Sequence, residues 1–137
     1  MTSSELTFRE LDGDEPLPDP QWPLEHWYIR VRDIKIAELS AGDLARAVRQ
    51  DVFVSEILPD CLALLRHEPL IGEMYDGELL VALAKYSERF WEGHPRERAL
   101  VCKFIERVRA RYAAEQEAWV DEATFRQELE PFVKRWA

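Results

Sequence analysis

The sequence predicts an all-α fold: one compact domain of about six helices behind an irregular, acidic, Pro-rich N-terminal arm. Three observations lead there. From residue 25 onward apolar residues recur at helical spacing, no two stretches pair convincingly as strands, and Pro16, Pro18, Pro20 and Pro23 crowd an early stretch among acids. The division expected is an arm over residues 1–24 and a helical domain over 25–137.

Each element follows from its local pattern. The prolines of 11–23 favour extended, polyproline-like backbone with no repeating apolar face, and Trp22 and Trp27 flank its end. Trp27, Val31 and Ile34 are spaced as on a helix, although Trp27, Ile29 and Val31 also alternate as on a strand. Helix is the expectation, because a lone strand has nothing to pair with. Ser40 suits the N-cap of a helix bearing Leu44, Ala47 and Val48, with Asp43 as the acidic partner three residues on. Pro59 is expected in the first turn of the next helix, with Leu58, Cys61, Leu62, Leu64 and Leu65 inward and Pro69 and Gly72 ending it. Asp76 is expected to cap a helix that buries Leu79, Leu80 and Leu83, and Phe90 and Trp91 close the following turn. His94-Pro95 opens the longest helix, with Leu100, Val101, Phe104, Ile105, Val108 and Tyr112 on one face. The last carries Phe125, Leu129, Phe132, Val133 and Trp136, with a kink or early break expected at Pro131.

Composition narrows the function classes. The 137 residues hold 27 acidic and 18 basic side chains, a net charge of −9 with a pI near 4.9. Nucleic acid and anionic membrane are unpromising direct partners, since both are bound through Lys and Arg. Seven acids but only Arg9 among the bases fall in residues 1–25, so the charge is concentrated at one end. Lys103, Arg107 and Arg111 share a face of the long helix. Pairing within the chain is expected there, with Glu115, Glu117, Asp121 and Glu122 as the neutralising acids. No apolar run approaches the ~20 residues of a membrane span. Met1-Thr2-Ser3-Ser4-Glu5 lacks the basic start and apolar stretch of a secretory signal. Cys61 and Cys102 lie in apolar helical patterns and read as reduced core residues of a cytoplasmic protein.

Catalytic patterns are sparse. The five glycines are too dispersed to cradle phosphate, no serine sits in a nucleophile elbow, and the histidines and cysteines lack metal-ligand spacing. Neither a catalytic residue, a metal nor a cofactor is expected. Glu73, Asp76 and Glu78 around Tyr75 form the one acidic cluster with hydrolase or hard-metal potential, and acids at the positive end of a helix explain them more simply. His67-Glu68 reads in the same way, as a histidine in the last turn of a helix.

The order Leu39-Ser40-Ala41-Gly42-Asp43-Leu44, Arg49-Gln50, Ile57-Leu58-Pro59 with Leu62 and Leu65, Pro69, Gly72-Glu73-Met74-Tyr75-Asp76-Gly77-Glu78-Leu79-Leu80 and Phe90-Trp91 resembles the immunity proteins of bacterial contact-dependent growth inhibition (CDI) systems. The resemblance runs from Ile34 to Trp91. It implies a cytoplasmic protein, monomeric and 1:1 with its partner, that binds and blocks the C-terminal toxin domain of a neighbour's effector, often a basic nuclease. Gly72 and Gly77 would then shape a turn, and Leu79 and Leu80 a core. The surface expected to meet the toxin combines Asp12, Asp14, Glu15 and Asp19 with Glu73, Asp76 and Glu78, and Tyr75 or Trp22 is its aromatic anchor. Two other classes fit the same composition: a helical adaptor of a basic cytosolic protein, and a small acidic hydrolase using Glu73 or Glu78. An isolated locus favours the first, and turnover lost in Glu73→Gln favours the second.

Overall fold

A computed structural model of the chain describes residues 3–115 and 122–137. Its α-helical segments are α1 (Phe8–Leu11), α2 (Pro23–Val31), α3 (Ala41–Arg49), α4 (Val54–His67), α5 (Glu78–Lys85), α6 (Glu88–Glu92), α7 (Pro95–Glu115), α8 (Glu122–Thr124) and α9 (Glu130–Trp136). Short 3-10 turns occupy Ser3–Glu5 and Ile36–Glu38, and a π turn over Phe125–Leu129 joins α8 to α9. Among the described residues there is no strand, only an isolated bridge from Thr7 to Lys35. The all-α expectation holds.

The core is where the periodicities placed it. Leu44 and Val48 of α3, Leu58, Cys61, Leu62 and Leu65 of α4, Leu79, Leu80 and Leu83 of α5 and Val101, Phe104, Ile105 and Val108 of α7 are all buried in one cluster, which Ile57 joins unannounced, while Leu64 and Leu100 are only partly buried at its edge. Trp91 closes it from α6, its indole N–H donating to the Leu83 carbonyl at 3.0 Å. Cys61 and Cys102 are free thiols within the same packing. The side chain of Tyr112 lies outside the described residues.

Three boundaries differ from the sequence reading, each for a physical reason. α4 starts at Val54, so Pro59 sits inside the helix rather than in its first turn. Proline there leaves the Ser55 carbonyl without its usual donor, and both residues face solvent, where water can serve it. The start is set instead by Phe53, held in left-handed conformation (φ +48°), its ring 5.7 Å from that of Phe8. α5 begins behind Gly77 (φ +87°) and not behind Asp76, because the turn needs a conformation that glycine adopts without strain. Pro131 breaks nothing. The π turn shifts the hydrogen-bond register so that proline falls in the first turn of α9, where its missing N–H is tolerated.

Two residues of the basic face of α7, Arg107 and Arg111, are engaged at the C-terminal end of α4, and Lys103 is exposed. Arg107 donates to the Arg66 carbonyl at 3.1 Å, and Arg111 grips Glu68 at 2.6 and 2.9 Å, holding that carboxylate below its ordinary range. Glu117 and Asp121, and the side chains of Glu115 and Glu122, lie outside the described residues.

The N-terminal residues are packed onto this body. Phe8 is fully buried, stacked on Tyr28 with ring centroids 5.9 Å apart, and Arg9 and Ile36 close backbone hydrogen bonds between this segment and residues 32–36. Trp27 is buried too, whereas Trp22 remains 68% exposed and docks nothing. Phe8→Ala should therefore lower stability by roughly 3–5 kcal/mol, read as an earlier urea midpoint. A midpoint within error of the parent's would contradict the packing of this segment.

Candidate functional site

The acidic cluster of residues 73–78 is built around one buried carboxylate. Glu78 opens α5 with 1% of its surface exposed. Its Oε1 accepts from the backbone N–H groups of Glu73 at 3.0 Å and Met74 at 3.3 Å, and its Oε2 accepts from Arg49 of α3 at 3.2 Å. The expectation that Glu78 faces a partner is corrected: it is an internal clamp. A loop approaching its own carboxylate this closely has no room for a side chain at position 72. A Cβ on Gly72 would stand 2.2 Å from the Tyr75 carbonyl oxygen and 2.8 Å from Glu78 Cβ.

The clamp turns the rest of the loop outward. Met74 is 79% and Tyr75 46% exposed, and Glu73 and Asp76 are exposed beside them. Burial raises the Tyr75 hydroxyl pKa, so the phenol is neutral at physiological pH. The Glu73 carboxylate lies over Gly42 at the start of α3, where a Cβ would come within 2.3 Å of it. The dipole of that helix end favours an acid. Asp43 does not complete a capping box with Ser40. The Ser40 hydroxyl accepts from the Asp43 N–H at 3.1 Å, while the Asp43 carboxylate accepts from the Trp27 indole at 3.0 Å and from Arg30 at 3.3 Å. Trp27, Arg30, Asp43, Glu73 and Met74, with Arg46 stacked 5.3 Å from the Trp27 ring, line a groove of about 300 Å³.

The N-terminal acids divide into two kinds. Asp12 is held by Arg32, itself 4% exposed, through two hydrogen bonds of 2.9 Å, and accepts a third from the Tyr28 hydroxyl at 2.7 Å. The Arg32 guanidinium, outweighing desolvation, keeps the Asp12 carboxyl well below the usual carboxylate range. Burial, with Asp12 beside it, pushes the Tyr28 hydroxyl up. Arg32 also donates to the Glu15 carbonyl and so pins the start of the Pro-rich stretch. Asp14, at φ +59°, pairs with Arg9 at 2.9 Å. Glu15 and Asp19 are exposed, and among the described residues no ion pair neutralises either. Trp22 is exposed at the head of α2, where Glu25 accepts from the Gln21 and Trp22 N–H groups at 3.3 and 3.0 Å.

The structure thus brings together Leu39–Leu44, Arg49 and Gly72–Leu80, three of the segments that carry the resemblance. It does not join them to Asp12–Trp22: among the described residues no hydrogen bond or ion pair links the two acidic groups, which flank α2. Sequence reasoning missed the apolar surface between them. Leu17, Leu24 and Ile29, each 36–41% exposed, line a second groove of about 210 Å³ on the far side of α2. Its one available sign was Ile29, which breaks the helical phase of Trp27 and Val31. Among the described residues no group of three or more His, Cys, Asp and Glu is placed to hold a metal, and both oxygens of Glu78 already accept from N–H donors. Exposed aromatic, thioether and carboxylate groups on a braced loop suit recognition of another protein.

A family described as CDI immunity proteins matches residues 11–101. The match begins at Leu11 and therefore takes in the acidic, Pro-rich stretch, which the resemblance over Ile34–Trp91 left out. No curated protein matches the chain.

Two outcomes are expected from this geometry. Glu78→Ala should cost about 2–3 kcal/mol and strip the Glu73 and Met74 amides of hydrogen-exchange protection, and unchanged protection would contradict the clamp. The second concerns pH. The folded pKa of Asp12 lies below its unfolded value of about 3.9, so its stabilisation is complete above that value and disappears as the pH falls through the folded pKa. The stability gap between the protein and Asp12→Asn should hold steady from about pH 7 to 5 and shrink below about pH 4. A gap indifferent to acid would refute the pair.

Proposed function

The chain belongs to the CDI immunity protein family, which makes it a toxin-neutralising immunity protein, and we propose that its target is a basic nuclease toxin domain bound 1:1 in the cytoplasm. The observation that carries the proposal is the braced loop at Glu73–Asp76: it lies inside the matched region, and its Met74 and Tyr75 are exposed although the fold has a core to bury them. The toxin-facing surface proposed is Glu73, Tyr75 and Asp76 on one side of α2 with Asp14, Glu15, Asp19 and Trp22 on the other. Asp12 and Glu78 act behind this surface by holding its backbone.

Charge supports the nuclease reading. A nuclease's substrate groove is basic, and a partner of net charge −9 is drawn to it from a distance. Steering of this kind lifts association to about 10⁸–10⁹ M⁻¹s⁻¹ at low salt. Nuclease–immunity pairs also reach a Kd of roughly 10⁻¹³–10⁻¹⁶ M, the range that self-protection against an enzyme calls for. Binding, rather than turnover, is the activity proposed. No helix among the described residues is long and apolar enough to cross a membrane.

The decisive experiment is stopped-flow association with the toxin domain encoded beside this gene. Raising the salt from about 50 to 500 mM should slow association at least tenfold and alter dissociation much less. A flat salt response would overturn the acidic surface. Tyr75→Ala should raise Kd by roughly 30-fold or more, the mark of an interface hot spot. A twofold change would remove Tyr75 from the interface.

A further inference from the structure

The apolar groove beside α2 has walls fixed from behind. Its floor is Tyr28 and Val52, and its rim is Leu17, Pro18, Leu24 and Ile29. The Tyr28 ring stacks on the buried Phe8 and its hydroxyl is tied to Asp12. Val52 is carried between two residues in left-handed conformation, Asp51 at φ +57° and Phe53 at φ +48°. Left-handed backbone is unusual for any non-glycine residue and most of all for a bulky one such as Phe53. The Leu17–Pro18 wall is stiffened by its prolines and pinned at Glu15 by Arg32. A cleft that keeps its shape while empty loses little freedom on filling.

Size and charge describe what fills it. About 210 Å³ falls below the roughly 300–1,000 Å³ of small-molecule sites and suits one bulky side chain. Glu25 lines the groove, and Glu15 and Asp19 belong to the stretch that forms its Leu17–Pro18 wall. The basic groups nearby are engaged: Arg9 with Asp14 and Asp33, Arg32 with Asp12, Arg30 with Asp43. An apolar guest bordered by acids is complemented by a host segment bordered by bases. A second copy of this chain would bring the same acidic rim and be repelled.

Resting on the immunity reading, we infer that this groove is the anchor pocket for a single aromatic or branched apolar side chain that the toxin presents between lysines or arginines. The loop of Glu73–Asp76 is then a second contact across α2, and the toxin straddles that helix.

Ile29 is exposed enough to change without unfolding the protein. In biolayer binding to the toxin domain encoded beside this gene, Ile29→Glu should raise Kd about 30-fold or more, mostly through faster dissociation, with an unaltered melting temperature. Leu17→Ser should act in the same direction. Tight binding by the parent chain together with binding by Ile29→Glu within twofold of it would overturn the pocket and leave the immunity reading standing. Failure of the parent chain to bind would overturn that reading instead. A peptide pair tests the chemistry directly. Lys-Lys-Phe-Lys-Lys should give saturable amide shifts at Ile29 and Val52, and Glu-Glu-Phe-Glu-Glu should not. Equal shifts from both peptides would overturn the claim that the guest is flanked by bases.

Discussion

A carboxylate taken out of water costs several kcal/mol unless its lone pairs are met, and Glu78 meets that cost with two backbone N–H groups and a guanidinium. Much of the surface is arranged around this one requirement. Arg49 is drawn from α3 towards α5, the chain between α4 and α5 must curl tightly enough for Gly72 and Gly77, and Met74 and Tyr75 are left outside because the inside of the turn is full. Arg32 does the reverse with the opposite charge: a buried cation gathers Asp12 and the Glu15 carbonyl and ties an otherwise irregular segment to α2. Both irregular stretches are therefore attached to the helical body through buried ions as well as through single buried apolar residues, Phe8 in one and Leu70 in the other.

This arrangement also distributes the net charge. The bases near α2 are spent on internal partners, while acids such as Glu15, Asp19 and Asp76 remain at the surface. Apolar side chains left exposed among such acids are unusual on a monomer. They cluster on both flanks of α2.

Much of the helical core could be read from spacing alone, because Leu44, Leu62, Leu65, Leu80, Phe104 and Ile105 obey a period that only burial explains. What could not be read depends on contacts between distant residues. Nothing local distinguishes Glu78 from the exposed Asp76 two positions earlier, and the difference is made by Arg49, a full helix away. Phe8 has only Leu6 and Leu11 as apolar neighbours, too short a run to establish a period, so its burial against Tyr28 and Phe53 is invisible until the fold exists. The start of α4 was hidden for a similar reason: Phe53 holds a conformation that propensity disfavours and tertiary packing imposes. The loop at 72–78 was identifiable as a site through resemblance and charge, whereas the groove at Leu17, Leu24 and Ile29 belongs to three segments whose meeting no pattern announces.

Glu78 grips Glu73 and Met74 by their backbone N–H groups. Those donors persist whatever side chains stand at the two positions, and substitutions at exposed sites generally shift stability by less than about 0.5 kcal/mol. The residues that hold the loop and the residues it displays are thus different sets. Met74, Tyr75 and Asp76 can therefore be exchanged while Gly72, Gly77, Glu78 and Arg49 keep the frame. The face of the loop can be rewritten by single steps that do not pass through an unfolded protein.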